Sequence, residues 1–222
     1  MKRFFIAILL VTAVACTSQN TTTATQYHYH DDGQAKPQVA IVPIYDRTNA
    51  KMPWNLSMEL SEALNEKIAA TGRFFLTRDF DMLGLAHLRT SDINPFLDDI
   101  SWIGEVQTGT EFIVFVELVE HKLIPNGDGE SVMKMKLFQS YNLDMTMRVK
   151  VIDIRKKMPR VILQEIIEDN YYIPWRLKSI NYTKGGWSKT AFSLSPIGMA
   201  HGKMVKKITS QVEEYIILAK MH

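Results

Sequence analysis

Gln38 to Ile44 (QVAIVPI) is a short β-branched run between polar segments, the pattern of a buried strand. Tyr45 to Pro53 then reads as a loop, and Asn55 is placed to cap a helix running to about Thr71. In that helix Leu56, Leu60, Leu64 and Ile68 recur every four residues with Ala63 beside them. Glu59, Glu62 and Glu66 face elsewhere, and Gly72 supplies the stop. Arg73 to Thr77 predicts a second strand. Arg78 to about Gly109 reads as helical, divided by Thr90-Ser91-Asp92 and by Pro95. Glu111 to Leu123 predicts a third strand. Its segment Phe112 to Val116 is apolar throughout, which suits a central strand covered on both faces.

The second half of the chain is patterned more sharply. Pro125 to Gly129 (PNGDG) is a turn. Beyond it Tyr141, Leu143, Met145, Met147, Val149 and Val151 share one face of a strand, and Asn142, Asp144, Thr146, Arg148 and Lys150 the other. A turn at Arg155 to Pro159 leads to a strand over about Arg160 to Asp169. Ser195-Pro196 opens a last helix that runs to about Lys220 and buries Ile197, Met204, Ile208, Val212, Tyr215 and Ala219. Gly198 and Gly202, one turn apart, let this helix approach the sheet closely. The order β-α-β-α-β-β-β-α predicts an α/β (α+β) fold: a mixed sheet of about five strands with helices packed on it, in one domain over 37–222.

Ahead of that domain the pattern changes. Lys2 and Arg3 precede an apolar run from Phe4 to Ala15, which ends at Cys16, the only cysteine. A basic start, a short apolar core and small residues before a break mark residues 1–15 as a signal peptide, too short for a helix that needs roughly 20 residues to span a bilayer. Ala13-Val14-Ala15-Cys16 resembles the lipobox of bacterial lipoproteins, in which the cysteine is acylated. Ala13 stands where that box usually has Leu, so ordinary secretory cleavage after Ala15 also fits. Residues 16–36 are rich in Thr, Gln and Asn and almost without aliphatic side chains, so they read as a flexible tether. Thr17, in place of the Asp that retains such proteins at the inner membrane, points to the periplasmic face of the outer membrane.

Charge and motifs narrow the classes. The chain holds 26 basic and 24 acidic residues; loss of Lys2 and Arg3 leaves no net charge, which argues against a nucleic-acid partner. It carries no G-x-S-x-G, H-E-x-x-H, P-loop or dinucleotide fingerprint, so no catalytic residue and no cofactor are assigned. Asp98-Asp99 are adjacent, and neighbours on a helix do not converge on one substrate atom. His28, His30, Asp31 and Asp32 have metal-ligand chemistry but lie in the tether without supporting groups, so no metal site is assigned. Lys203, Lys206 and Lys207 make a basic patch on the last helix, either solvated or facing anionic lipid or glycan. Tyr171, Tyr172, Trp175, Tyr182, Trp187 and Phe192 fall in one stretch interrupted by Pro174 and Gly185-Gly186. They make either a protein interface, where Tyr and Trp dominate binding, or a cover over the sheet edge. Asp46, Arg47, Trp54 and Asn55 form a second candidate surface at the carboxyl end of the first strand, or serve loop structure and helix capping.

Four segments carry a resemblance: Val39 to Ile44 with Asp46-Arg47-Thr48, Thr71-Gly72-Arg73-Phe74, Thr108 to Val114, and Val149 to Arg155. In this order, behind a lipobox, they resemble the domain shared by the curli secretion channel lipoproteins and the penicillin-binding-protein activator lipoproteins (CsgG/LpoB). Lys156 to Pro159 departs from the tight hairpin that the family has after its last motif. The resemblance implies a non-enzymatic scaffold of the cell envelope. It would be anchored through Cys16 and dock on an envelope protein such as a peptidoglycan synthase (a penicillin-binding protein), or on itself. A ring-forming secretion channel is the alternative, with residues 131–151 supplying one membrane hairpin and Tyr171 to Phe192 a second that Pro174 interrupts. A periplasmic enzyme of unrecognised type is the other.

Overall fold

The computed structural model describes residues 27–77, 95–96, 99–105, 109–126, 140–174, 187 and 190–221. Cys16, Trp175 and Tyr182, with the expected signal peptide and most of the expected second helical region, lie outside them. The strands are β1 (Gln38–Ile41), β2 (Tyr45–Asp46), β3 (Phe75–Leu76), β4 (Phe112–Pro125), β5 (Tyr141–Asp153) and β6 (Arg160–Ile173). The helices are α1 (Leu56–Ala70), α2 (Thr190–Ser193) and α3 (Pro196–Lys220), with a 3-10 turn at Ser101–Glu105.

The sheet is mixed, as the element order requires. Its order is β3-β1-β4-β5-β6, with β2 also paired to β4. β1 lies parallel to β3 and to β4, while β4, β5 and β6 form an antiparallel meander. The sheet has six strands rather than five because Pro43 splits the first. Proline has no N–H to donate, so the ladder breaks there and resumes where Tyr45 pairs with Glu117 and Asp46 with Leu118. Tyr45 and Asp46 were expected in a loop. The freed backbone of Ile44 is satisfied from α1: Ser61 Oγ accepts its N–H at 2.8 Å, and Ser57 Oγ donates to its carbonyl.

The helices pack on one face. Leu56, Leu60, Leu64 and Ile68 of α1, with Ile197, Met204, Ile208, Val212 and Ala219 of α3, close over Val114, Val116, Leu143, Met145, Met147, Val149 and Val151. Tyr215 is only partly buried, and its hydroxyl reaches Glu165. On the other face Phe96 and Ile103 cover Ala40, Ile113, Phe115 and Ile152. The Phe112–Val116 segment is therefore buried from both sides. Both predicted caps form: Asn55 Oδ1 accepts from Met58 N at 3.1 Å, and Ser195 Oγ from Gly198 N at 3.1 Å. Among the described residues no helix is long and apolar enough to cross a membrane.

Three further expectations change. Residues 28–36 are not slack: Tyr29 bridges Ala35, Lys36 N donates to His28 O, and His28 stacks on Phe75 at 3.6 Å, so an ordered turn docks on β3. Asp32, once a metal candidate, accepts from Gln34 N within that turn. Lys150, on the polar face of β5, is buried. Gly198 and Gly202 do not act alike. The close approach is at Gly198, against the backbone of α2 rather than the sheet, while nothing lies within 4 Å of the space beside Gly202. Arg155 ends the last motif by gripping Asp153 Oδ2 at 2.7 Å and the Ala219 carbonyl at 2.6 Å, which ties β5 to the end of α3. That side chain, not a tight hairpin, anchors the Lys156–Pro159 turn.

Candidate functional site

A cleft of about 470 Å³ opens at the carboxyl end of β1 and β2, lined by Tyr45, Asp46, Ala50, Met52, Pro53, Trp54 and the first residues of α1. Three of the four residues expected there, Asp46, Trp54 and Asn55, form its wall. Arg47 lies beside it and pairs with the buried Glu117 at 3.3 Å, which Arg148 approaches from β5 at 3.5 Å. The polar groups of the cleft are committed to structure. Asp46 Oδ1 accepts from Thr48 N at 2.8 Å and Thr48 Oγ1 at 2.7 Å, and Asn55 caps α1. Tyr45 is half exposed at the rim.

Behind the cleft runs a buried polar chain. Trp54 Nε1 donates to Glu59 Oε2 at 2.9 Å; Glu59 Oε1 lies 2.6 Å from His201 Nδ1; His201 Nε2 lies 2.9 Å from His121 Nε2. Glu59, His201 and His121 come from α1, α3 and β4 and are 4, 2 and 8% exposed. Burial, with His201 beside it, holds the His121 imidazole down to about 4, so it is neutral in the fold. Phe192 of α2 packs edge-on to both Trp54 and His201, at 5.1 and 6.0 Å.

Sequence reasoning missed this chain, and placed Glu59 on the wrong side of α1. For His201 a signal existed: an ionisable residue on an otherwise apolar helical stripe. For His121 the signal was hidden. Phe112, Val114, Val116 and Leu118 face the helices, and simple alternation would turn His121 outward. A β-bulge between Leu118 and Glu120 shifts the parity, so His121 faces inward instead.

The aromatic stretch divides. Tyr171 is core, its hydroxyl pushed up out of the usual range by burial and by Asp169, and Phe192 is core as well. Trp187 packs partly buried against the same cluster. Among the described residues of the stretch only Tyr172 is exposed, at 61%, on the open face of β6 where Ile166 is exposed at 59%. Tyr171, Phe192 and Trp187 therefore serve the cover rather than the interface. Lys207 of the basic patch pairs with Asp169, and Asp99 caps the 3-10 turn through Ser101. Among the described residues no three His, Cys, Asp or Glu side chains are grouped to hold a metal.

The solved structure of the hypothetical protein CT253 from Chlamydia trachomatis is similar over 82% of this chain and 98% of that one, at 27% identity and a TM-score of 0.62. A PelC dodecamer from Paraburkholderia phytofirmans is similar over 79 and 86%, at 13% identity and a TM-score of 0.40. Lipoprotein GNA1162 from Neisseria meningitidis is similar over 80 and 99%, at 9% identity and a TM-score of 0.36. Likeness at the last two levels transfers no function. No curated protein matches the chain. The resemblance to curli-channel and penicillin-binding-protein activator lipoproteins stays one of motif order. Residues 25–220, nearly the whole chain, match one family, and the protein belongs to it: a family of unknown function, DUF7499.

Proposed function

We propose that this chain is a non-enzymatic lipoprotein of the bacterial cell envelope, anchored through Cys16 at the periplasmic face of the outer membrane, whose domain docks on another envelope protein. The observation that carries the reading is the state of the cleft. Asp46 and Asn55 are engaged in turn and cap, and Trp54 in the buried chain, so what the surface offers is shape, the Tyr45 rim and the Arg47 charge. Such groups suit recognition rather than bond making. The ordered turn at 28–36 brings the start of the domain within about 11 residues of Cys16, and a flexible coil of that length would reach roughly 18 Å. The domain would thus search a thin shell at the membrane, which raises its effective concentration near membrane-bound partners. A peptidoglycan synthase is the partner class that the motif order favours.

The test is capture from native membranes with the full-length chain, Cys16→Ser, and the double variant Tyr45→Ala/Arg47→Ala, read by mass spectrometry. Recovery of one envelope enzyme, weakened in both variants, supports the docking reading. Recovery of the chain alone in a large complex overturns it in favour of a self-assembling channel or scaffold.

A further inference from the structure

The Trp54–Glu59–His201–His121 chain can be counted proton by proton. With Glu59 as the carboxylate, Oε1 accepts, and His201 Nδ1 carries a proton toward it across 2.6 Å. The two Nε2 atoms face each other at 2.9 Å, a distance that holds one N–H between them. Whichever imidazole owns that proton, the bond survives, and a proton carried on His121 Nδ1, on the far side of that ring, leaves the gap as it was; only when both rings are imidazolium must the gap hold two. A second proton in the gap sets two N–H donors against each other in a site almost closed to water, and the rings must part.

We propose that this chain is a proton-operated latch on the wall of the cleft, closed with one proton between His121 and His201 and released by a second. The three carriers are independent pieces of the fold, so parting the rings moves α3 and α1 against β4. Glu59 transmits the movement to Trp54 through the indole bond, and Phe192 does so by packing on both His201 and Trp54. Trp54 lines the cleft, so the latch sets the shape of the face read above as a docking surface, and it is on that reading that its regulatory role rests.

The surroundings leave the pair to govern itself. α1 contributes Glu59 and α3 His201. β5 places Met145 opposite His121, and α2 contributes Phe192. The next carboxylate in the same row, Asp169 opposite Met145 on β6, is two strand spacings away, about 10 Å, and is paired with Lys207. The low proton affinity of His121 places release on the acid side of neutrality.

The experiment uses the full-length chain with ¹⁵N-labelled tryptophan indoles, the Trp54 signal assigned by Trp54→Phe, titrated from pH 8 to pH 3.5. The Trp54 indole should shift with one midpoint below 6.5, together with the His121 ring signals. In His121→Gln, which keeps a hydrogen-bonding group and cannot titrate, that shift should vanish. A Trp54 signal that stays constant while the imidazoles titrate overturns the latch, as does an unchanged titration in His121→Gln. If that variant does not fold, the wild-type comparison of indole and imidazole midpoints decides alone. Zn²⁺ added at pH 7.5 is a further arm: saturable binding that moves Trp54 would make the pair a metal site and overturn the proton reading. No partner is present in this experiment, so the docking reading and the latch fail separately.

Discussion

Gly198 and Gly202 stand one turn apart in α3, and a methyl group added to each meets opposite surroundings. At Gly198 it would overlap the Phe192 carbonyl oxygen and stand 2.8 Å from that carbonyl carbon and 3.1 Å from Ser193 Cα. These are backbone atoms, pinned because Ser195 N donates to Phe192 O at 2.8 Å while Ser195 Oγ accepts from Gly198 N, so no side chain can swing aside. Relief requires α2 to move by about an ångström, which carries Phe192 away from Trp54 and His201; overpacking of this kind costs about 1–3 kcal/mol and often more against backbone. The helix propensity of alanine returns at most about 1 kcal/mol, so Gly198→Ala should lose about 2 kcal/mol net. At Gly202 nothing lies within 4 Å, and only propensity acts, so Gly202→Ala should gain up to about 1 kcal/mol. Urea unfolding followed by circular dichroism reads both. With a slope of about 2 kcal/mol per molar, the midpoint should fall by about 1 M in the first variant and rise by up to about 0.5 M in the second. Midpoints that move in the same direction, or a Gly198→Ala protein as stable as wild type, would refute the packing argument.

Protonation of His121 should also be visible in stability. The unfolded chain takes up that proton near 6.5 and the fold refuses it until about 4. The stabilisation is therefore complete above 6.5 and lost as pH falls toward 4, by about 2 kcal/mol at pH 5 and about 3 kcal/mol in all. Urea midpoints at pH 7 and pH 5 should diverge accordingly, and His121→Gln should flatten the difference; an equal slope in the variant would sink the assignment. Asn55→Ala removes the cap on Met58 N and should cost about 1 kcal/mol in the same assay. Cys16→Ser should move the protein from the detergent phase to the aqueous phase on Triton X-114 partition, and unchanged partition would remove the lipid anchor.

The helices and the long strands could be read from the sequence because their periods are local. Leu56 to Ile68 and Ile197 to Ala219 lie at helical spacing beside good caps, and Leu143 to Val151 alternate without a fault, so each segment names its own buried face. Two local events escaped: Pro43, which splits the first strand without ending it, and the bulge after Leu118, which reverses the facing of His121. Both are ladder properties, visible only when the partner strand is in place. The cleft was half legible, since Asp46 and Trp54 flank an obvious strand end. Glu59 and His201 lie 142 residues apart, and His121 and His201 80. No period links them; the crossing of α1 and α3 over β4 brings them together. The sequence by itself determined the elements, their order and the apolar faces that drive them into one sheet with helices upon it. Only the tertiary structure decided which polar groups went inside, because burial of a charge is settled by the partners that long-range packing delivers.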